Sequence, residues 1–284
     1  MKKFFRLLII LLLAANAVML VFTYQSTDKR KKAEEAFFAQ NTEYEQLNET
    51  LKSETNKLEA LSRSSTEKNT PSDEKFEKNL ESTGVSVCID PGHGITSQSG
   101  KEPVSPGSGE TKAAHVSGTA GEEEFNLSVA LKLRSILEKS GITVDMTRTE
   151  HECDKSNIDR ANQGNDSNYC IRIHADGSEN SAASGISVLI PEKSYFGDDS
   201  FVRDSSILGQ YILDSSVKNT GAKNKGLVTR SDLTGFNWSK VPVVLIECGF
   251  LTNPEERALL LTDEYQEKLA QGIADGFLKF VKEL

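Results

Sequence analysis

The stretch "VCIDPGHGI", Val87–Ile95, decides how the chain is read. A short apolar run, Val85–Ile89, ends in Asp90-Pro91-Gly92-His93-Gly94. Such a run reads as a buried strand, and the glycines let the backbone turn sharply where it ends. The chain has only four histidines, and one of them stands at this strand mouth.

Working outward, the residues after Val85 alternate between two textures. Ile142–Arg148, Tyr169–His174, Gly185–Ile190 and Val241–Glu247 read as further strands. Phe125–Leu137 has helical spacing and Gly141 stops it; Ile158–Gly164, Phe201–Val217 and Asp263–Leu284 read as helices. Alternation of this kind predicts an α/β fold, a single largely parallel twisted sheet flanked by helices. About 200 residues suffice to bury a core. Ligands in such sheets sit beyond the carboxyl ends of the strands. Three strands end in Asp90-Pro91-Gly92-His93, Ile173-His174-Ala175-Asp176 and Ile246-Glu247-Cys248-Gly249. Two imidazoles and a carboxylate can therefore meet at one sheet edge. The two imidazoles, with an acid from the cluster Glu122-Glu123-Glu124, would make the three-ligand set of a hydrolytic zinc site. The same acids are also ordinary helix-start chemistry.

Upstream, the texture differs. The chain has 284 residues, a formal charge of −9 and a hydrophobic share of 37%, low for a single globule. No long basic stripe is present, which argues against a nucleic-acid partner. Lys2, Lys3 and Arg6 precede an uncharged run, Leu7–Tyr24, and the mostly apolar Phe4–Tyr24 supplies the roughly 20 residues a spanning helix needs. Residues 1–24 are read as an uncleaved signal anchor, with secretion after cleavage near Ala15-Asn16-Ala17 as the alternative. Lys29–Lys32 follow the span closely, so charge alone leaves the orientation open. Residues 25–83 are polar. Phe37, Tyr44, Leu51 and Leu58, with Leu47 and Leu61, give a weak seam over about three heptads. That fits a short helical stalk, with a stalk-mediated dimer or a solvated amphipathic helix as the two readings. Ser62–Thr83 reads as a linker and residues 84–284 as the globular domain. Cys88, Cys153, Cys170 and Cys248 show no CxxC spacing; Cys88, Cys170 and Cys248 lie in runs that read as buried strands and are read as small buried hydrophobes, with one disulfide as the alternative.

Four ordered segments, "CIDPGHG", "EEEFNLSVALKL", "RIHAD" and "VLIECGFLTNPEE", together resemble the zinc-dependent N-acetylmuramoyl-L-alanine amidases of the amidase_3 family over about residues 85–284. The resemblance implies one Zn²⁺ held by His93, Glu122 and His174, with Asn126 setting the choice of Glu122 among its neighbours. It implies Glu247 as the catalytic carboxylate, a peptidoglycan substrate, and the bond between N-acetylmuramic acid and L-alanine as the one cut. It also implies a catalytic domain outside the bacterial membrane. Arg172 and Asp176 stand where the family often has Ser and Asn, so substrate contacts are expected to differ there. Phe236 and Trp238 are substrate-stacking candidates with core packing as the alternative, and Arg172 is a third contact candidate. Asp90 is read as a ligand-orienting acceptor or a turn cap, and Arg160 with Asn162 as loop-holding or catalytic. Residues 95–121, with His115, are read as a surface loop, or else as a lid over the cleft. His151 is given no role. A zinc peptidase on the same scaffold and a non-catalytic membrane-anchored wall-binding module are the competing functions.

Overall fold

The computed structural model describes residues 84–197 and 200–283. The expected anchor over 1–24 and the stalk and linker over 25–83 lie outside these residues. Among the described residues no helix is long and apolar enough to cross a membrane.

Eight strands and six helices follow one another: β1 Ser86–Pro91, β2 Lys101–Pro103, β3 Thr111–Ala113, α1 Glu122–Lys139, β4 Thr143–Met146, α2 Asn157–Gly164, β5 Tyr169–Asp176, β6 Ile186–Pro191, α3 Ser200–Thr220, β7 Asn224–Arg230, α4 Thr234–Asn237, β8 Val243–Phe250, α5 Pro254–Leu260 and α6 Asp263–Lys282. Six strands form one sheet in the order β4-β1-β5-β8-β6-β7. β4, β1, β5 and β8 run parallel, and β6 lies antiparallel to β8. The expected largely parallel α/β sheet is what forms. β7 was not expected: its NKGLVTR is polar, half-exposed and sits at the sheet edge, where no apolar period is required.

Successive side chains on a strand point to opposite faces, and the two faces here differ. One carries Val87 and Ile89, Ile171 and Ile173, Val244 and Ile246, all buried in the main core. Phe125, Val129, Leu133 and Leu137 of α1 and Leu269, Ile273 and Phe277 of α6 belong to the same core. Their spacing is the helical stripe that a buried face demands. The other face starts apolar, with Cys88, Cys170, Val243 and Leu245 in a smaller cluster with Phe201 and Phe236. Farther along the same face come Asp90 on β1, then Arg172 and His174 on β5, then Glu247 on β8. The sheet thus grades from oil to ions toward its carboxyl edge.

The four cysteines are free and buried, as the strand context of Cys88, Cys170 and Cys248 predicts for those three. Cys88 and Cys170 stand opposite each other in register on β1 and β5.

Candidate metal centre

The turn after β1 is held in a conformation that side chains rarely adopt. His93 has φ 60°, the one left-handed non-glycine residue among those described. Such a residue persists where its surroundings over-determine it. Here the turn's carbonyls are all engaged. Arg148 Nε donates to Pro91 O at 3.0 Å and Nη2 to Gly92 O at 2.9 Å. Arg160 Nη1 donates to Pro91 O at 3.0 Å, and its Nη2 to His93 O. Asn126 Nδ2 adds a bond to Gly92 O at 3.2 Å. Asp90, buried in turn, accepts from Arg160 at 2.7 Å, pairs with Arg172 at 3.2 Å and accepts from Thr147. Burial pushes its carboxyl pKa up, but Arg172 and then Arg160 override that and hold it well below the usual carboxylate range. Asp90 therefore acts on the turn through Arg160 and touches no candidate ligand.

Three donor atoms converge beside this turn. His93 Nδ1 donates to Val116 O at 2.7 Å. A carbonyl only accepts, so Nδ1 carries a proton, and in the neutral ring Nε2 keeps its lone pair. Nε2 lies 2.9 Å from Glu122 Oε1. Glu122 opens α1; its Oε2 accepts from Thr119 N at 2.8 Å, while Oε1 also faces His174 Nδ1 at 3.1 Å. The ligand atoms of His93, Glu122 and His174 all lie within 4.8 Å of one another. The two rings meet edge to face, 4.8 Å apart. His174 rests on the turn itself, and a Cβ at Gly92 would come within 2.2 Å of its ring. That is why a glycine precedes His93.

Charge coupling within the cluster is strong. Burial favours the neutral acid at Glu122, but hydrogen bonds from His174 and His93 outweigh it and hold the pKa well below its usual range. Burial lowers His93, yet the Glu122 hydrogen bond and charge bring its net pKa up. At His174 burial wins, helped by the nearby His93, and the pKa falls. Glu247 stands opposite His174 in the β5–β8 register. It lines a cavity of about 250 Å³ with His93, Glu122 and His174. Its Oε2 is buried with no hydrogen-bond partner. Burial, then the charges of Asp176 and Glu122, push its pKa well above the ordinary value. The donor set, two imidazole nitrogens and one carboxylate oxygen beside a cavity, fits a zinc-type cation with an open position.

The remaining expectations divide. Arg172 is buried, lies against Gly235 and lines a groove that reaches His174. Phe236 is 1% exposed and packs in the smaller apolar cluster at the floor of that groove, so core packing accounts for its side chain. Trp238 donates Nε1 to Pro103 O at 3.1 Å and braces β2; it lines none of the cavities around the cluster. Residues 95–121, read as a surface loop, instead carry the β2–β3 hairpin and return to the centre. They supply the Val116 carbonyl and the Thr119 amide, and Gly118 leaves room for Glu122 and His93. His115 lines two of the surrounding cavities, while His151 pairs with Glu123 at 3.2 Å on the surface. Asn162 is exposed on α2. Val116, Gly118 and Thr119 were missed because each acts through backbone atoms or space, and Arg148 because its guanidinium works on backbone carbonyls; none of these roles leaves a residue-type signature.

A largely parallel α/β domain with a His–Glu–His cluster at the carboxyl edge of its sheet is an architecture suited to metal-assisted hydrolysis. The chain belongs to the Amidase_3 family, N-acetylmuramoyl-L-alanine amidase, whose family model matches residues 87–279. It is 28% identical over 193 residues to a probable cell wall amidase, LytH, of Staphylococcus aureus, a match covering 68% of this chain. It spans only 57% of the length of that curated relative. Among solved structures it is similar to the N-acetylmuramyl-L-alanine amidase Ami1 of Mycobacterium smegmatis, with TM-score 0.65 and 28% identity, covering 71% of this chain and 98% of that one. An N-acetylmuramoyl-L-alanine amidase from Clostridium difficile 630 matches with TM-score 0.57 and 28% identity over 70% of this chain and 97% of its own.

Proposed function

We propose that the chain hydrolyses the amide joining the lactyl carbonyl of N-acetylmuramic acid to L-alanine in peptidoglycan. His93 Nε2, Glu122 Oε1 and His174 Nδ1 would hold one zinc ion. The observation that carries this reading is the unpartnered Glu247 Oε2, sharing one cavity with the three converged donors in a chain of the amidase family. Zinc, when bound, supplies Lewis acidity: it polarises the scissile carbonyl and lowers the pKa of water toward about 7. Glu247 accepts the proton of the attacking water and returns it to the departing amine of L-alanine. Its raised pKa brings it nearer the working pH of such a proton carrier. Val116 holds His93 in the ligating tautomer, and the buried arginines hold the turn that presents it.

The same proposal places residues 1–24 in the membrane as a signal anchor and residues 25–83 as a stalk. The domain of residues 84–284 then lies outside, at its substrate. The apolar run Phe4–Tyr24 supports this reading, and cleavage with secretion is its alternative.

Zinc content and muropeptide digestion, measured on wild type and Glu247→Ala together, test the reading. One zinc per chain is expected in both. Release of intact stem peptides is expected from wild type and reduced by about 10²–10⁴-fold in the variant. Shortened stem peptides would indicate a peptidase instead. A folded wild type without zinc or turnover would indicate a wall-binding module.

A further inference from the structure

We propose that Arg172 recognises a carboxylate of the substrate and selects stem peptides that carry a free acid close to the cleaved bond. This rests on the amidase reading and adds a specificity residue to it.

The layer beneath the metal centre is short of one anion. Asp90 is the sole carboxylate between two buried guanidinium groups, Arg160 at 2.7 Å and Arg172 at 3.2 Å. Arg160 spends its other donors on the carbonyls of Pro91 and His93. Arg172 is 5% exposed, and its Nε and Nη2 have no hydrogen-bond partner. A buried cation with unmet donors is costly unless something completes it, and the adjoining groove gives a ligand anion room to do so. The groove at Arg172, about 410 Å³, leads to the metal ligand His174. Lys112 and Arg230 at its rim both clamp Asp232, at 2.9 and 2.8 Å, which leaves Arg172 as the cation without its own anion. The wall is shaped for the guanidinium: a Cβ at Gly235 would come within 2.1 Å of its Cζ. Arg172 lies two residues before His174 on the same face of β5, about 7 Å along the strand. An extended peptide advances roughly 3.5 Å per residue, so an acidic residue following L-alanine brings its carboxylate to that depth. Arginine suits this task because its planar fork matches carboxylate geometry.

The test uses the zinc-loaded full chain and two synthetic substrates, both N-acetylmuramoyl-L-alanyl-D-glutamate capped as the γ-amide, one with a free α-carboxylate and one amidated at the α-carboxyl as well. Wild type is expected to prefer the acid by roughly tenfold or more in kcat/KM, the worth of one charge-assisted hydrogen bond. Arg172→Met should bring that ratio near one, mainly through KM of the acid, and Arg172→Lys should keep part of it. A merely structural Arg172 would slow both substrates alike and leave the ratio unchanged, which overturns the proposal, as does a wild type indifferent to the two. Should Arg172→Met fail to fold, the wild-type and Arg172→Lys ratios still decide. Calorimetric titration of Glu247→Gln with the same two compounds reads the preference without turnover. Tighter binding of the acid there, alongside absent cleavage by wild type, would keep the carboxylate site and overturn the amidase reading instead.

Discussion

The two faces of the central sheet are made by the same strands and do different work. On one face Val87, Ile89, Ile171, Ile173, Val244 and Ile246 are apolar from end to end. On the other, Cys170 gives way to Arg172 and then to His174 along β5, and Val243 and Leu245 give way to Glu247 along β8. Because alternate residues point to opposite sides, a strand can be tuned for chemistry on one face without disturbing packing on the other. The ionic layer is the joint between these roles. Its charges are anchored in the apolar part of the second face and hold the turn that carries His93, a candidate metal ligand.

Substitutions can break this division in order of severity. Asp90→Asn should be the harshest for stability, costing about 3–5 kcal/mol, because it leaves Arg160 and Arg172 buried without their shared anion. Denaturant melts at several pH values would read it. The folded pKa of Asp90 is depressed. Its stabilisation is therefore complete above the ordinary carboxylate pKa of about 3.9 and drains away as pH falls through the folded value. The gap between wild type and variant should accordingly narrow in acid. Ile173→Ala, one residue from His174 but on the apolar face, should cost about 2–4 kcal/mol by leaving a cavity. Zinc stoichiometry of its folded fraction should stay at the wild-type value; a loss of metal would show that the faces are not independent. Arg134→Ala, which removes an exposed i,i+4 pair with Glu138 on α1, should change stability by less than about 0.5 kcal/mol in the same melts.

Much of the apolar face was legible in the sequence because burial on a strand or helix imposes a period. The runs at Val85–Ile89, Tyr169–His174 and Val241–Glu247 became β1, β5 and β8, each extended by two or three residues into the site. Gly141 follows the end of α1 with φ 80°. His93 and His174 were legible as candidate ligands because their side chains carry the donor atoms at strand ends, and Glu122 through the family resemblance; the structure brings the three together. What escaped has no such imprint. β7 is an edge strand of polar residues, and the β2–β3 hairpin has only three residues per strand. Trp238 was read as stacking or core, and its ring nitrogen is bonded to a backbone carbonyl. Residue type revealed an aromatic there and could not reveal which way it faced.

The burial of every cysteine has a practical side. Cys88, Cys170 and Cys248 are at most 2% exposed and Cys153 is 8% exposed. A thiol-reactive dye can therefore label these positions only when the domain opens, so the chain carries a built-in clock for its own breathing. Zinc that favours the closed form should slow that clock in proportion to its free concentration, which turns four buried sulfurs into a reporter of occupancy at the candidate metal centre.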